Sequence, residues 1–466
     1  MQARLTLLGV LGVAQALLYV LASGASAFQQ LLAIAIAAAL GIIALSWIAL
    51  DRSFKRTPLG FVIILALILR LIAVQATPLL EDDYFRYLWD GLQTATTRDP
   101  YRYPPDHFFG QASLSKIWQD ILSGINYPTV PSIYGPVLQG LFALAYWISP
   151  GQVGAIQGLL LVVDMLTLAL LARFQPDPRC WLVYAMHPLI LKESMASAHP
   201  DVLLGFFLMC ALLAWRSHRA VVTGIFLALA SGTKVPALLG IGFLIFKPRL
   251  GHTRTPQLFW MLTLLVGMLV TLSIIYLPFL LQGASEGSAL ALFGAQWRFN
   301  PLLFRIFDPI VELILVPQFV AEFRPEFRPD FMSVYGPKFS RLIAALLLGL
   351  GVVALVWQWI KSGLLGWPPL CLAMALILLL SPTVNPWYWL WALAPSLLMR
   401  QCTFAIAGCI GLLSYWNTSV IAISAFWIAP SSLNTNSVPV ISALIQIGVI
   451  AAAWIFDYRY AFKKKQ

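Results

Sequence analysis

Phe61-Val62-Ile63-Ile64-Leu65-Ala66-Leu67-Ile68-Leu69-Arg70-Leu71-Ile72-Ala73-Val74-Gln75-Ala76-Thr77-Pro78-Leu79-Leu80-Glu81-Asp82-Asp83 is the stretch that decides the architecture. The run 58–79 supplies the ~20 mostly apolar residues that one bilayer crossing needs. It ends on three adjacent carboxylates, with Arg86 and Asp90 close behind. Ionised groups are costly at a hydrocarbon edge, so a cluster held there marks a functional site by default. A charged helix flank would explain a single acid; three in a row followed by Arg86 and Asp90 favour function.

Runs of the same kind recur along all 466 residues, of which 60% are hydrophobic and only 11% charged; the mean hydropathy is +0.82. No soluble domain can hide so much apolar surface, and the runs are continuous where a β-barrel would alternate. The chain reads as an all-α polytopic membrane protein of about 13–14 transmembrane helices. The net charge of +11 fits basic cytoplasmic loops better than nucleic acid, which is not expected as a partner. The five cysteines lack metal or redox spacing and read as small buried hydrophobes. Arg4, the run after it and Ala25-Ser26-Ala27 resemble a signal peptide, but a retained first helix is the preferred reading.

Charge bookkeeping gives the topology. The loop 51–57, with Arg52, Lys55 and Arg56, reads as cytoplasmic, so 58–79 crosses outward and delivers the acids to the external face. Residues 80–152 form an external loop, and its apolar part 131–149, broken by Pro131, Gly135 and Pro136, reads as juxtamembrane or re-entrant. Residues 153–172 return to a loop with Arg173 and Arg179; 180–193 run out and 200–215 back in. Residues 220–246 split into two short helices around Ser231-Gly232-Thr233-Lys234-Val235-Pro236. Four regions follow: two leading helices (1–57), a catalytic module (58–281), a second external segment (282–338) with one short helix near 309–320, and C-terminal helices (339–466). The Lys463-Lys464-Lys465 tail belongs inside.

Four polar clusters then share one side of the membrane: Glu81-Asp82-Asp83 with Arg86 and Asp90; Lys192-Glu193 with His199 and Asp201; Lys234; and Asn385-Pro386-Trp387-Tyr388-Trp389. Their convergence is the argument. A carboxylate at the hydrocarbon edge, tuned by desolvation and nearby cations, suits a general base for a hydroxyl nucleophile, and Asp82 or Asp83 fits that role. Lysine or arginine facing a groove suits a phosphate. Loop aromatics such as Tyr84, Tyr101 and Tyr103 could stack on sugar rings; an interfacial belt is the plain alternative. An ion pair for Lys192-Glu193, a helix cap for Asp201 and a snorkelling Lys234 are the corresponding plain readings. No P-loop, dinucleotide fingerprint or metal-ligand spacing is present, so neither cofactor nor metal is expected.

The acidic group after an early helix, Tyr101-Arg-Tyr-Pro-Pro105, His187-Pro-Leu-Ile190 with the turn at Asp201, Gly232-Thr-Lys234 and Asn385-Pro-Trp-Tyr388 together resemble the GT-C superfamily of integral-membrane glycosyltransferases. Within it the chain is most similar to bacterial polyprenyl-phosphate-dependent mannosyltransferases and to the catalytic mannosyltransferase of GPI-anchor synthesis. The resemblance covers about 79–240, with the late Trp-Tyr element a weaker match. It implies a GT-C-like bundle in a bacterial inner membrane that moves a hexose, mannose favoured, from a polyprenyl-phosphate donor to a hydroxyl of a glycolipid, glycan or protein, with inversion, on the extracytoplasmic side. It carries catalysis onto Glu81, Asp82 and Asp83, donor-phosphate binding onto Lys234, and substrate contacts onto His199 and Asp201, with Trp387 and Tyr388 from the weaker match. Beside the resemblance, Arg86 or Arg298 is expected to assist at the phosphate and Asp90, next to the acids, to contact substrate. A transporter or glycolipid flippase is the alternative, but such proteins commonly repeat their broken helices in two halves. Here the breaks concentrate in the first half.

Overall fold

The computed structural model describes residues 1–248, 256–311, 328–363, 367–416 and 437–463, with main chain alone for 328–338, 437–441 and 460–463. The described residues are helical, and their one β-type contact is an isolated bridge between Phe299 and Thr383. The protein is an all-α polytopic membrane protein. Among the described residues, five helices are long and apolar enough to cross a bilayer: α1 (Gln2–Leu21), α2 (Ala27–Leu50), α7 (Val153–Phe174), α12 (Gln257–Leu280), and the part Phe339–Lys361 of α15 (Arg328–Lys361).

The shorter helices carry the polar clusters. In chain order they are α3 (Leu59–Ala73), α4 (Asp83–Thr96), α5 (Lys116–Ser123), α6 (Pro136–Ile148), α8 (Pro178–Ala185), α9 (Val202–Arg216), α10 (Ala220–Thr233), α11 (Leu239–Leu244), α13 (Gly287–Gln296) and α14 (Leu303–Ile310). After α15 come α16 (Leu370–Leu380), α17 (Leu393–Leu398), α18 (Thr403–Gly411) and α19 (Ser437–Lys463). A 15-residue helix such as α3 or α9 spans only ~22 Å at 1.5 Å per residue, short of a ~30 Å hydrocarbon core. The sequence reading of a bundle of about 13–14 helices, some of them split or re-entrant, agrees with this all-α architecture, and the backbone breaks where polar groups must be presented.

The clearest break lies between α8 and α9. Pro188 cannot continue a helix, so α8 stops at Ala185 and the chain resumes as a π-helix, Ile190–Ala196. Such irregular turns occur often at functional sites. The freed carbonyls of Tyr184 and Ala185 accept from the guanidinium of Arg70 on α3. Arg70 also pairs with Asp164 on α7 at 2.6 Å, both side chains wholly buried, and Tyr184 Oη donates to Asp164 at 2.7 Å. The pair thus caps a broken helix inside the bundle, where a lone unsatisfied carbonyl would be costly. The leading helices brace the same point: Tyr19 Oη donates to the Pro188 carbonyl, and Gly41 leaves room for the Pro188 ring.

Basic residues gather at one end of the bundle. Arg4 pairs with Asp51, Arg179 donates to the Ala49 carbonyl, and Arg400 reaches Asp177. At the other end Thr77 N donates to Ser23 and Leu80 N to Gln30, and the acidic group follows directly. The split expected at Lys234 is present, since α10 ends at Thr233 and Val235–Leu238 begins the next helical segment. The helix expected near 309–320 falls mostly outside the described residues; two short helices, α13 and α14, precede it. The loop 323–327 and the tail Lys464-Lys465 also lie outside them.

Candidate active site

A cavity of about 1020 Å³ opens at the end of the bundle that carries the acids. Glu81, Asp82 and Asp83 form one part of its wall, at the entry to α4. Lys234, Arg298 and Arg341 supply positive charge elsewhere, and Trp297, Trp387, Tyr388 and Trp391 supply aromatic surface. The size stands at the upper end of the ordinary range for small-molecule pockets (~300–1,000 Å³).

The three acids are not equivalent. Glu81 is tied down: its Oε1 accepts from Tyr415 Oη at 2.5 Å, and Lys192 Nζ stands 4.0 Å away. Asp82 accepts from Asn126 at 3.4 Å. Asp83 has only long contacts, from Tyr87 Oη at 3.5 Å and Tyr134 Oη at 3.4 Å. Burial pushes the Asp83 carboxyl up to about 6, assisted by the charges of Glu81 and Asp82 and opposed by His199 and Lys234. Burial also raises Asp82, while burial raises Glu81 against the pull of Lys192 and Tyr415. Asp83 has no short hydrogen bond to hold it, and at about 6 its carboxyl can serve as a general base near neutral pH, whereas Glu81, pushed up to about 7, is held by Tyr415.

Lys234 sits at the junction of α10 and the following turn, where Pro236 enforces the break. Its Nζ pairs with Asp201 Oδ1 at 2.7 Å and lies 4.6 Å from the Tyr388 ring centroid and 5.6 Å from that of Trp391. Trp391 Nε1 donates to the same Asp201 oxygen at 2.5 Å. The ammonium is therefore fixed in place and still borders the cavity. Gly135 keeps the neighbouring turn close: a Cβ there would stand 2.3 Å from the Gly232 carbonyl oxygen.

Behind this wall lies a second layer. Leu80 and Ala198 both adopt left-handed backbone (φ 55° and 60°), a strained choice for non-glycine residues. Each immediately precedes a residue, Glu81 or His199, that is turned toward the same point. There Glu81, Glu193 and His199 come together, with one ligand-type atom of each within 4.8 Å of the others. His199 is held by Tyr87 Oη at 2.8 Å from its Nδ1 and by stacking on Trp387, with centroids 3.7 Å apart.

Residues 6–248, more than half of the chain, match the family model described as alpha-(1->6)-mannopyranosyltransferase, N-terminal domain, of the MptA_B family. The chain belongs to this family. No curated protein and no solved structure matches it. The mannosyltransferase resemblance seen in the sequence is thereby borne out, and the protein is a membrane glycosyltransferase of that family, which disfavours the transporter reading. The match takes in the leading helices, the acids, His199, Asp201 and Lys234; the cavity residues from Glu286 onward lie beyond it.

Among the residues expected at a mannosyltransferase site, Glu81, Asp82, Asp83, Arg86, Lys234, Arg298, Trp387 and Tyr388 border the cavity. The Arg86 guanidinium, expected at the donor phosphate, is engaged by Asp90 at 2.9 Å and the Val130 carbonyl at 2.9 Å. Arg298 pairs with Asp308 at 2.7 Å yet keeps a side chain 41% exposed. Six expected substrate contacts, Tyr84, Asp90, Tyr101, Tyr103, His199 and Asp201, are not among the cavity-lining residues. Asp90 ties α4 to Ser132 and Gln139, Tyr101 Oη donates to the Tyr134 carbonyl, and Tyr103 stacks on His107. Asp201 and His199 support the wall from behind. Tyr415, Glu286 and Arg341 border the cavity without having been singled out, because each lies in or beside an apolar run far along the chain from the acids.

Proposed function

We propose that this chain transfers a mannosyl group from a polyprenyl-phosphate donor to a hydroxyl of a mannoside acceptor, with inversion, on the extracytoplasmic face of a bacterial plasma membrane. The observation that carries the proposal is the pairing, in one cavity, of an under-engaged carboxyl near neutrality, Asp83, with a clamped cation, Lys234. In the reaction Asp83 takes the proton of the acceptor hydroxyl as its oxygen forms a bond to the anomeric carbon. The bond from that carbon to the phosphate oxygen breaks, and polyprenyl phosphate leaves with the electron pair. Lys234 and Arg298 face the charge that grows on the departing phosphate, where fixed donors contribute most to rate. The lipid tail stays in the bilayer, so the donor enters sideways.

The family's name speaks of an α-(1→6) linkage. Carried to this chain, it makes the acceptor a primary 6-hydroxyl, and an inverting attack that yields an α product requires a β-linked donor. The aromatic wall of Trp297, Trp387 and Tyr388 offers apolar faces for the sugar rings. Whether the acceptor is a glycolipid, a free glycan or a glycoprotein depends on what extends beyond the reacting sugar.

The test is reconstitution of the purified chain with radiolabelled polyprenyl-phosphate mannose, a polyprenyl-phosphate glucose control and an α-mannoside acceptor. Formation of an α-(1→6)-mannoside that Asp83→Asn abolishes supports the reading. Product formation undiminished by Asp83→Asn, or label moving across the vesicle without a new glycosidic bond, overturns it.

A further inference from the structure

We propose that Glu81, Glu193 and His199 form a binding site for one divalent transition-metal cation, zinc or a close relative, just behind the cavity wall that Glu81 borders. The starting point is an unpaired atom. His199 Nε2 is fully buried and has no hydrogen-bond partner, and buried polar atoms in that condition call for an explanation. It points between two carboxylate oxygens, 3.7 Å from Glu81 Oε2 and 3.6 Å from Glu193 Oε2. Both separations exceed an N–H···O bond of ~2.7–3.2 Å. They approach the ~3.4 Å edge of a tetrahedron whose ligands stand ~2.0–2.1 Å from a zinc ion. The third edge, between the two carboxylates, lies within 4.8 Å, so an ion would draw the two glutamates toward each other.

The surroundings prepare the imidazole as a ligand. Its Nδ1 meets Tyr87 Oη at 2.8 Å, and Trp387 stacks on its face. When Nδ1–H donates to the tyrosine oxygen, Nε2 presents its lone pair to the carboxylates. Outer partners of this kind fix the orientation of metal-bound histidines. Charge points the same way. Glu81, Asp82, Asp83 and Glu193 place four carboxyl groups around the point, against which Lys192 offers one cation, 3.4 Å from Glu193 and 4.0 Å from Glu81. Lys234 is already matched by Asp201. Glu81 also borders the cavity, so a fourth position could face substrate, as in sites with three protein ligands and one open place.

The inference stands apart from the transfer reaction and can fail alone. Full-length protein in detergent would be dialysed against chelator, given Zn²⁺, desalted and assayed for bound metal by mass spectrometry. The expected result is about one zinc per chain, with a Co²⁺ replacement giving the intense visible bands of a low-symmetry site. His199→Gln and Glu193→Gln should weaken binding by at least about tenfold. Lys192→Met, which removes a like charge, should leave it equal or tighter, and His107→Gln should leave it unchanged. Asp83→Asn, which removes a nearby charge but no ligand, should still hold about one metal per chain although it no longer transfers sugar. Wild-type protein that is folded by circular dichroism and retains well under one metal per chain overturns the proposal. So does metal that stays bound in a folded His199→Gln variant. Transfer of mannose by metal-free protein would leave the proposed function standing and confine this site to a structural role, provided the metal count holds.

Discussion

If Asp83 removes the acceptor proton, Asp83→Asn keeps the volume of the side chain and deletes the base. General base catalysis contributes roughly 10²–10⁴-fold, so kcat should fall by about that factor while donor KM changes little. The pH profile adds an independent reading. With its carboxyl near about 6, Asp83 is roughly nine-tenths ionised at about pH 7 and one-tenth at about pH 5. Wild-type kcat/KM should therefore drop about tenfold between those values, along an acid limb with its midpoint near about 6. The sign follows from the chemistry: a base must be deprotonated, so activity is gained as pH rises through the limb. Asp82→Asn supplies the control. The Asp82 charge raises the Asp83 carboxyl, so removing it should move the limb to lower pH. Both profiles would be measured on reconstituted enzyme at saturating lipid, with unfolding checked at each pH. An Asp83→Asn enzyme within about tenfold of wild type, or one that keeps the same acid limb, would refute the assignment.

Two other perturbations separate binding from stability. Lys234→Met should raise donor KM and lower the melting temperature, because Asp201 is left buried without its cation, a loss that costs about 3–5 kcal/mol for a buried pair. Adding Asp201→Asn should restore the melting temperature and not the donor KM; recovery of both would reduce Lys234 to a structural role. Arg70→Met should cost about 3–5 kcal/mol in unfolding measurements, with Arg70→Met/Asp164→Leu regaining most of it. A single variant as stable as wild type would show that the α8 break needs no cap.

The sequence made some parts of this site legible and hid others for physical reasons. The acids and Lys234 stood out because a charge or a Gly-Thr-Lys-Val-Pro break is anomalous within apolar runs, and the structure brings both to one cavity. Arg70 and Asp164, 94 residues apart, each look like a stray charge; only their contact reveals a cap for α8. His199 and Asp201 were expected to touch substrate, yet a turn two residues long does not say which side faces the cavity. Here Lys234 and Trp391 claim Asp201, and Tyr87 and Trp387 claim His199. Tyr415 gave no signal at all, being one hydroxyl at the end of an apolar run, 334 residues from the Glu81 that it holds. The break at Pro236 was legible from its Gly-Thr-Lys-Val-Pro setting, whereas the one at Pro188 was hidden, because hydropathy measures composition and the run around Pro188 stays apolar.

The side of the membrane on which the site opens is itself open to test, and the donor depends on it. Arg4, Arg52, Lys55, Arg56, Arg179 and Arg400 belong to segments that meet at one end of the bundle. Basic loops stay preferentially in the cytoplasm, and the proposed function accordingly has the acidic end facing outward. Nucleotide sugars are cytoplasmic metabolites, so an outward site must draw its sugar from a carrier that has crossed the bilayer; polyprenyl phosphate meets that need. In a background with the five native cysteines replaced, Lys116→Cys, at a position 87% exposed, should react with an impermeant maleimide in intact spheroplasts. Lys55→Cys, on the basic loop, should react only after permeabilisation. The opposite pattern would put Asp83 within reach of nucleotide sugars and remove the reason for a lipid-linked donor, while leaving the base chemistry to be judged on the pH profile.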